Sequence, residues 1–195
     1  LGDELTKDVV KKAQDLIVEG TTAIEKRRKD DEFIRLLNEL RRATLLVQSR
    51  QNNEALLKLA VVYSEAERCN VKHIQANSLV QIARVHTRMG RVETALDELN
   101  RACALHRLNN TKNNSIDIQG EHTALGDLAS LLIRTSRTDQ ALAVLSQKVE
   151  LSTNETERIE LVTRITQMRA DLNSVGVVVP VSQFINSVGG NRSEG

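Results

Sequence analysis

The sequence predicts an all-α protein, an α-solenoid of stacked antiparallel helical hairpins, on three observations. Of the 195 residues one is proline and nine are glycine, and four of those glycines follow residue 175, so residues 1–173 are almost free of helix breakers. Apolar residues recur three and four apart from Leu5 to Leu172, in segments separated by short polar turns. The pattern of small and large apolar residues then repeats along the chain, first at an offset of 40 and then at 46.

The first segment, about 3–29, places Leu5, Val9, Ala13, Leu16, Ile17, Ala23 and Ile24 on one helical stripe, with Gly20 as a bend or split. The run from Glu25 to Glu32 is basic then acidic, which suits the end of one helix and the start of the next. A second helix is expected over about 31–49, with Phe33, Leu36, Leu37, Leu40, Ala43 and Val47 inward. A third follows the polar turn 50–53 and runs to about Asn70. Then come 72–89, a stop at Gly90, and 92–108; glycine supplies the left-handed residue that commonly closes a helix. A polar loop over 109–119 precedes helices over 120–135, 138–152 and 154–173. The last stretch changes character: residues 175–181 are rich in valine and extended-looking, and 189–195 read as flexible. The expected organisation is therefore an N-terminal helix (1–30), paired helices (31–153), a capping helix (154–173) and an extended or flexible tail (174–195). Because the chain begins at Leu1, the first helix is expected to be half of a repeat cut from a longer protein.

The repeat can be followed residue by residue. Leu79, Ala83, Gly90, Ala95, Leu99 recur as Leu125, Ala129, Ser136, Ala141, Leu145, and upstream Ala43, Ala55 and Leu59 match Ala83, Ala95 and Leu99. Small residues belong where two helices of a hairpin cross closely, with large aliphatics filling the space around them. This resembles the tetratricopeptide repeat (TPR) family, whose signature places a large residue, a Leu-Gly or Leu-Ala pair, a turn glycine and two alanines at such intervals. The spacing of 40–46 is similar to the longer-helix subclass found in kinesin light chains, and Gly120 to Ala129 is similar to the start of a repeat there. The first unit departs from the pattern with Glu39 and Arg42 at apolar places, and Arg107 and Thr153 stand where the family often has proline. The resemblance implies the fold and a role in protein–protein interaction. Val80 and Arg84 occupy places where chaperone-tail clamps of this family carry Lys and Asn, so that type of tail binding is not implied.

No catalytic constellation is legible. The four histidines are scattered, and there is no Gly-rich phosphate loop, HExxH or nucleophile with a base, so no enzyme activity and no cofactor are expected. His86 takes a place usual for an aromatic and is expected to be packed and hydrogen-bonded. Cys69-x3-His73 and Cys103-x2-His106 offer thiolates and imidazoles, yet neither is a CxxC knuckle; the pairs are expected to be held apart, with no metal. Two cysteines make no disulfide framework and fit a reduced, cytoplasmic setting. No apolar run reaches a membrane span, and no signal or transit pattern opens the chain.

Charge and surface carry the functional expectation. Lys and Arg total 27 against 26 Asp and Glu, a net charge of +1, and aromatics are 2%. Both tell against nucleic acid, although 18 Arg against 9 Lys keeps a helical-repeat RNA-binding subunit as the alternative. In stacked hairpins the first helix of each pair lines the concave face. Three polar stripes with one spacing fall there: Leu37, Arg41, Thr44, Gln48; then Asn77, Gln81, Arg84, Arg88; then Thr123, Asp127, Ser130, Arg134. Arg41, Asn77, Gln81, Arg84, Arg88, Asp127 and Arg134 are the candidate partner-binding residues. Arginine forks among amides suit an acidic or C-terminal peptide, and Asp127 is expected to reject acidic side chains beside it. The terminal segments are expected to be sticky, giving self-association or docking of the Val-rich arm.

Overall fold

The computed structural model describes residues 2–113 and 118–174, with side chains for 11–109 and 118–174 except at 13 and 173. All but Ser174 of the expected tail, and the middle of the expected 109–119 loop, lie outside them. The described residues form seven helices and no strand: α1 Gly2–Gln48, α2 Asn52–Arg68, α3 Lys72–Arg88, α4 Val92–Asn113, α5 Ile118–Arg134, α6 Thr138–Leu151 and α7 Glu155–Ser174. None is long and apolar enough to cross a membrane.

The expected break near residue 30 is absent: α1 runs unbroken for 47 residues. The charged run that resembles a junction is made of strong helix formers. Glu25 and Lys29, Arg27 and Asp31, and Arg28 and Glu32 stand four apart with opposite charge, which supports a helix rather than ending it. Gly20 is tolerated in the helix interior. α4 likewise runs beyond the expected Leu108 to Asn113.

Four of the turns are built alike. Arg50, Asn70, Gly90 and Ser136 have φ of 61°, 56°, 75° and 59°, one left-handed residue per turn. In each turn the next residue's N–H reaches back to a carbonyl five residues earlier: Gln51 to Leu46 (3.0 Å), Val71 to Ala66 (2.8 Å), Arg91 to His86 (2.9 Å) and Arg137 to Leu132 (2.9 Å). Arg50, Asn70, Gly90 and Ser136 themselves donate to Val47, Glu67, Thr87 and Ile133. This is the Schellman closure, which satisfies the carbonyls a helix end leaves over. The same Gln51, Val71, Arg91 and Arg137 then turn their own carbonyls onto Ala55, Gln75, Ala95 and Ala141, opening the next helix. A helix is closed and its successor started within three residues. The α6–α7 turn differs: Asn154 Oδ1 accepts from the N–H groups of Thr156 (2.9 Å) and Glu157 (3.4 Å), a side-chain N-cap.

Each helix packs on its successor, and α3 also touches α1 and α5. The α1–α2 pair is antiparallel: Glu32 meets Arg68 (3.0 Å), Arg35 meets Glu65 (2.7 Å) and Glu39 meets Lys58 (2.7 Å). Three apolar clusters form the core, one centred on α1–α2–α3, one on α3–α4–α5 and one on α5–α6–α7. Ala43, Ala55, Ala83, Ala95, Ala129 and Ala141 are all buried, as the repeat requires. Glu39 and Arg42, the departures from the repeat, belong to the ion pairs on the first hairpin, while Ile82, 40 residues beyond Arg42, packs into the first cluster. His86 is packed and hydrogen-bonded as expected: its Nδ1 lies 2.9–3.0 Å from both carboxylate oxygens of Glu98. Burial pushes the Glu98 carboxyl above its usual range, and His86 opposes the shift.

Two outcomes test this frame. Arg50→Gly and Ser136→Gly should each raise stability by about 1 kcal/mol, by removing the cost of a side chain in the left-handed region, whereas Gly90→Ala should lower it comparably. Space does not enter at Gly90, where a Cβ would meet no atom within 4 Å. Ala95→Phe or Ala141→Phe should cost on the order of 1–3 kcal/mol or more by overpacking. Denaturant melts of the five variants check both.

Candidate partner-binding groove

The stripe positions fall on α1, α3 and α5, and α3 touches both of the others. Along α3 the spacing of Gln81, Arg84 and Arg88 keeps them on one face. That face borders a cleft of about 400 Å³ whose other walls are Thr44 and Gln48 of α1 and Asp127, Ser130 and Arg134 of α5. Its apolar lining comes from Val47, Leu99 and Leu131. The volume is that of a site for a few side chains.

Five of the seven expected residues therefore share one cleft: Gln81, Arg84, Arg88, Asp127 and Arg134. Arg41 does not line it and is exposed, and Asn77 sits half-buried with its Nδ2 3.0 Å from His73 Nε2. Their charges are not all free. Arg84 Nε donates to Asp127 Oδ2 at 2.6 Å, bridging α3 and α5 across the cleft. Arg88 Nη1 donates to the Val47 carbonyl at 2.6 Å, near the C-terminus of α1, where a cation suits both the helix dipole and a left-over carbonyl. Arg134 makes no ion pair or hydrogen bond among the described residues and stands exposed at the cleft. Asp127 thus acts first as the partner of Arg84, and one cation is left uncommitted.

A second cleft of about 380 Å³ lies on the other side of α5, against α7. Asp127 and Ser130 line both, so α5 is a shared wall, and the Thr123 end of its polar stripe opens into the second cleft. There His122 Nε2 lies 3.3 Å and Lys148 Nζ 3.5 Å from Glu157 Oε1. Lys148 reaches this place over Gly126, at whose missing Cβ its Nζ stands 3.3 Å away. Burial, then the Lys148 charge, hold the His122 imidazole below its usual range, and Glu157 opposes them.

The sequence stripes contain the polar wall but not its floor. Val47, Leu99 and Leu131 carry the signal of core residues, and only the packing shows that their flanks reach the cleft. The second cluster was equally hidden: His122, Lys148 and Glu157 come from three helices with no common spacing. The Cys/His pattern resolves differently from expectation. The His73 and His106 rings meet edge to face with centroids 6.1 Å apart, because the start of α3 lies against the end of α4. Cys69, by contrast, hydrogen-bonds Glu32, which raises its thiol pKa, and burial pushes the Cys103 thiol up to about 12. Among the described residues no group of three or more His, Cys, Asp and Glu side chains is arranged to hold a metal ion.

No family model matches this chain, and no curated protein or solved structure proved similar to it.

The His122 cluster predicts a pH effect. Its folded pKa lies below the unfolded value of about 6.5, so its contribution to stability is present above that pH and is lost as pH falls through the folded value. Stability should decline from pH 7 to 5, and His122→Gln should flatten that part of the curve. Comparison with the parent isolates His122 from Glu98, whose shift has the opposite sign. Urea melts at each pH supply the two curves.

Proposed function

We propose that this chain is a non-enzymatic interaction scaffold or adaptor, a TPR-like α-solenoid that binds a segment of a partner protein in the groove lined by α1, α3 and α5. The observation that carries the proposal is the cleft shared by three non-consecutive helices, polar at its walls and apolar at its floor. A surface of this kind suits a peptide with one aliphatic side chain for Val47, Leu99 and Leu131 and a carboxylate for Arg134. Arg84 and Arg88, already held by Asp127 and the Val47 carbonyl, act as fixed donors rather than as a pool of free charge. That arrangement favours a short acidic peptide over a polyanion, because only Arg134 in the cleft is uncommitted. The alanine crossings and repeated left-handed turns support the solenoid reading, in which neighbouring hairpins bury faces that none could bury alone.

Peptides selected from a random displayed library on the intact chain test the proposal. The expected winners combine an acidic residue with a nearby aliphatic one, and lose on the order of 1–3 kcal/mol of affinity against Arg134→Ala, with little change against Arg91→Ala. Arg84→Ala should also lower stability, by less than about 1 kcal/mol, since its pair with Asp127 is partly exposed. Equal losses at Arg91 and Arg134 would mean diffuse electrostatics. Tight binding of single-stranded RNA with a steep dependence on salt would move the reading to the RNA-binding alternative.

A further inference from the structure

α1 continues far beyond the hairpin it forms with α2. Its last contact with that helix among the ion pairs is at Glu32, and every side chain described from Lys11 to Asp31 is exposed. The helix nevertheless keeps an apolar face: Leu16, Ile17 and Ile24 are 68%, 65% and 68% exposed. In proteins most helical stability comes from packing an apolar face rather than from propensity. The face has a period of seven rather than 3.6. Val9, Leu16 and Ala23 form one row, Val10, Ile17 and Ile24 the next, and Ala13 and Gly20 a third. A seven-residue period is what two helices need to stay in contact along a left-handed coil.

We propose that residues 3–26 of α1 pair antiparallel with the same segment of a second copy. Two kinds of complementarity select that occupant and that direction. The first is size. In the antiparallel register that sets Ala13 opposite Leu16 of the other copy, Gly20 falls opposite Val9, so both of these small residues receive a larger one. Nothing lies within 4 Å of the place where a Gly20 Cβ would stand, so that seat is open. The second is charge. The same register sets Lys12 beside Glu19 of the other copy, twice by symmetry. The parallel in-register pair fails on both counts: Gly20 faces Gly20, Arg27 faces Arg27, and neither Lys12 nor Glu19 gains an opposite charge. The antiparallel pair also sets the helical bodies of the two copies at opposite ends of the coil.

The test uses the full 195-residue chain in sedimentation equilibrium at low and moderate salt. The expected mass is twice 21.7 kDa. Leu16→Asp should give the monomer while the helical body still unfolds cooperatively, since this side chain lies outside every core cluster. Lys12→Glu and Glu19→Lys should each weaken the dimer by about tenfold or more, and the double variant should restore it. A monomeric parent, or a dimer indifferent to Leu16→Asp, overturns the proposal. A dimer lost with Leu16→Asp but indifferent to the charge reversals overturns the antiparallel register. Peptide binding in the groove is measured separately, so failure here leaves the groove reading to its own test.

Discussion

One left-handed residue in each of four turns decides where the chain goes next. At Arg50, Asn70, Gly90 and Ser136 the backbone closes one helix by bonding back over its last turn, and the following residue's carbonyl opens another helix at once. A reversal this short leaves two helices no choice but to cross near the turn. The buried alanines at 43, 55, 83, 95, 129 and 141 answer that constraint, because a larger residue there would push the pair apart. Three of the four left-handed positions carry a side chain, so the fold accepts a local cost for the sake of the geometry.

Three of these turns lie between α1 and α4, and α1, α3 and α5 come to lie side by side. α3 touches both α1 and α5, and their facing stripes make a cleft that none of them forms alone. Three of its four charges are then fixed by contacts that cross between helices: Arg84 to Asp127, and Arg88 to the end of α1. Fold and site are coupled here, since the ion pair that tunes the cleft also ties its walls. On the far side of α5 the His122–Glu157–Lys148 cluster does the same for α7.

Much of this was legible in the sequence, for reasons that also mark where legibility ended. Helix positions followed from apolar spacing and the near absence of proline, and the alanine crossings followed from the 40- and 46-residue offsets. Gly90 announced the left-handed residue of its turn, whereas the expected turns at 50–53 and 136–137 gave no sign of theirs, because arginine and serine carry no preference for positive φ. The run from Glu25 to Glu32 resembled a junction because dipole arguments fit both a helix boundary and a continuous helix with pairs four apart. In the site, the polar stripes were readable from period alone. The Arg84–Asp127 bridge was not, because it joins residues 43 apart whose meeting depends on how α3 and α5 pack.

The central claim is that a partner segment lies along the face shared by α1, α3 and α5. NMR chemical-shift mapping of the isotope-labelled chain with a selected acidic–aliphatic peptide reads it directly. The account predicts perturbations concentrated at Gln48, Gln81, Arg88, Ser130 and Arg134, with the outward faces of α2, α4 and α6 unmoved. Perturbations concentrated on those outward faces, or along residues 11–30 of α1, would contradict it.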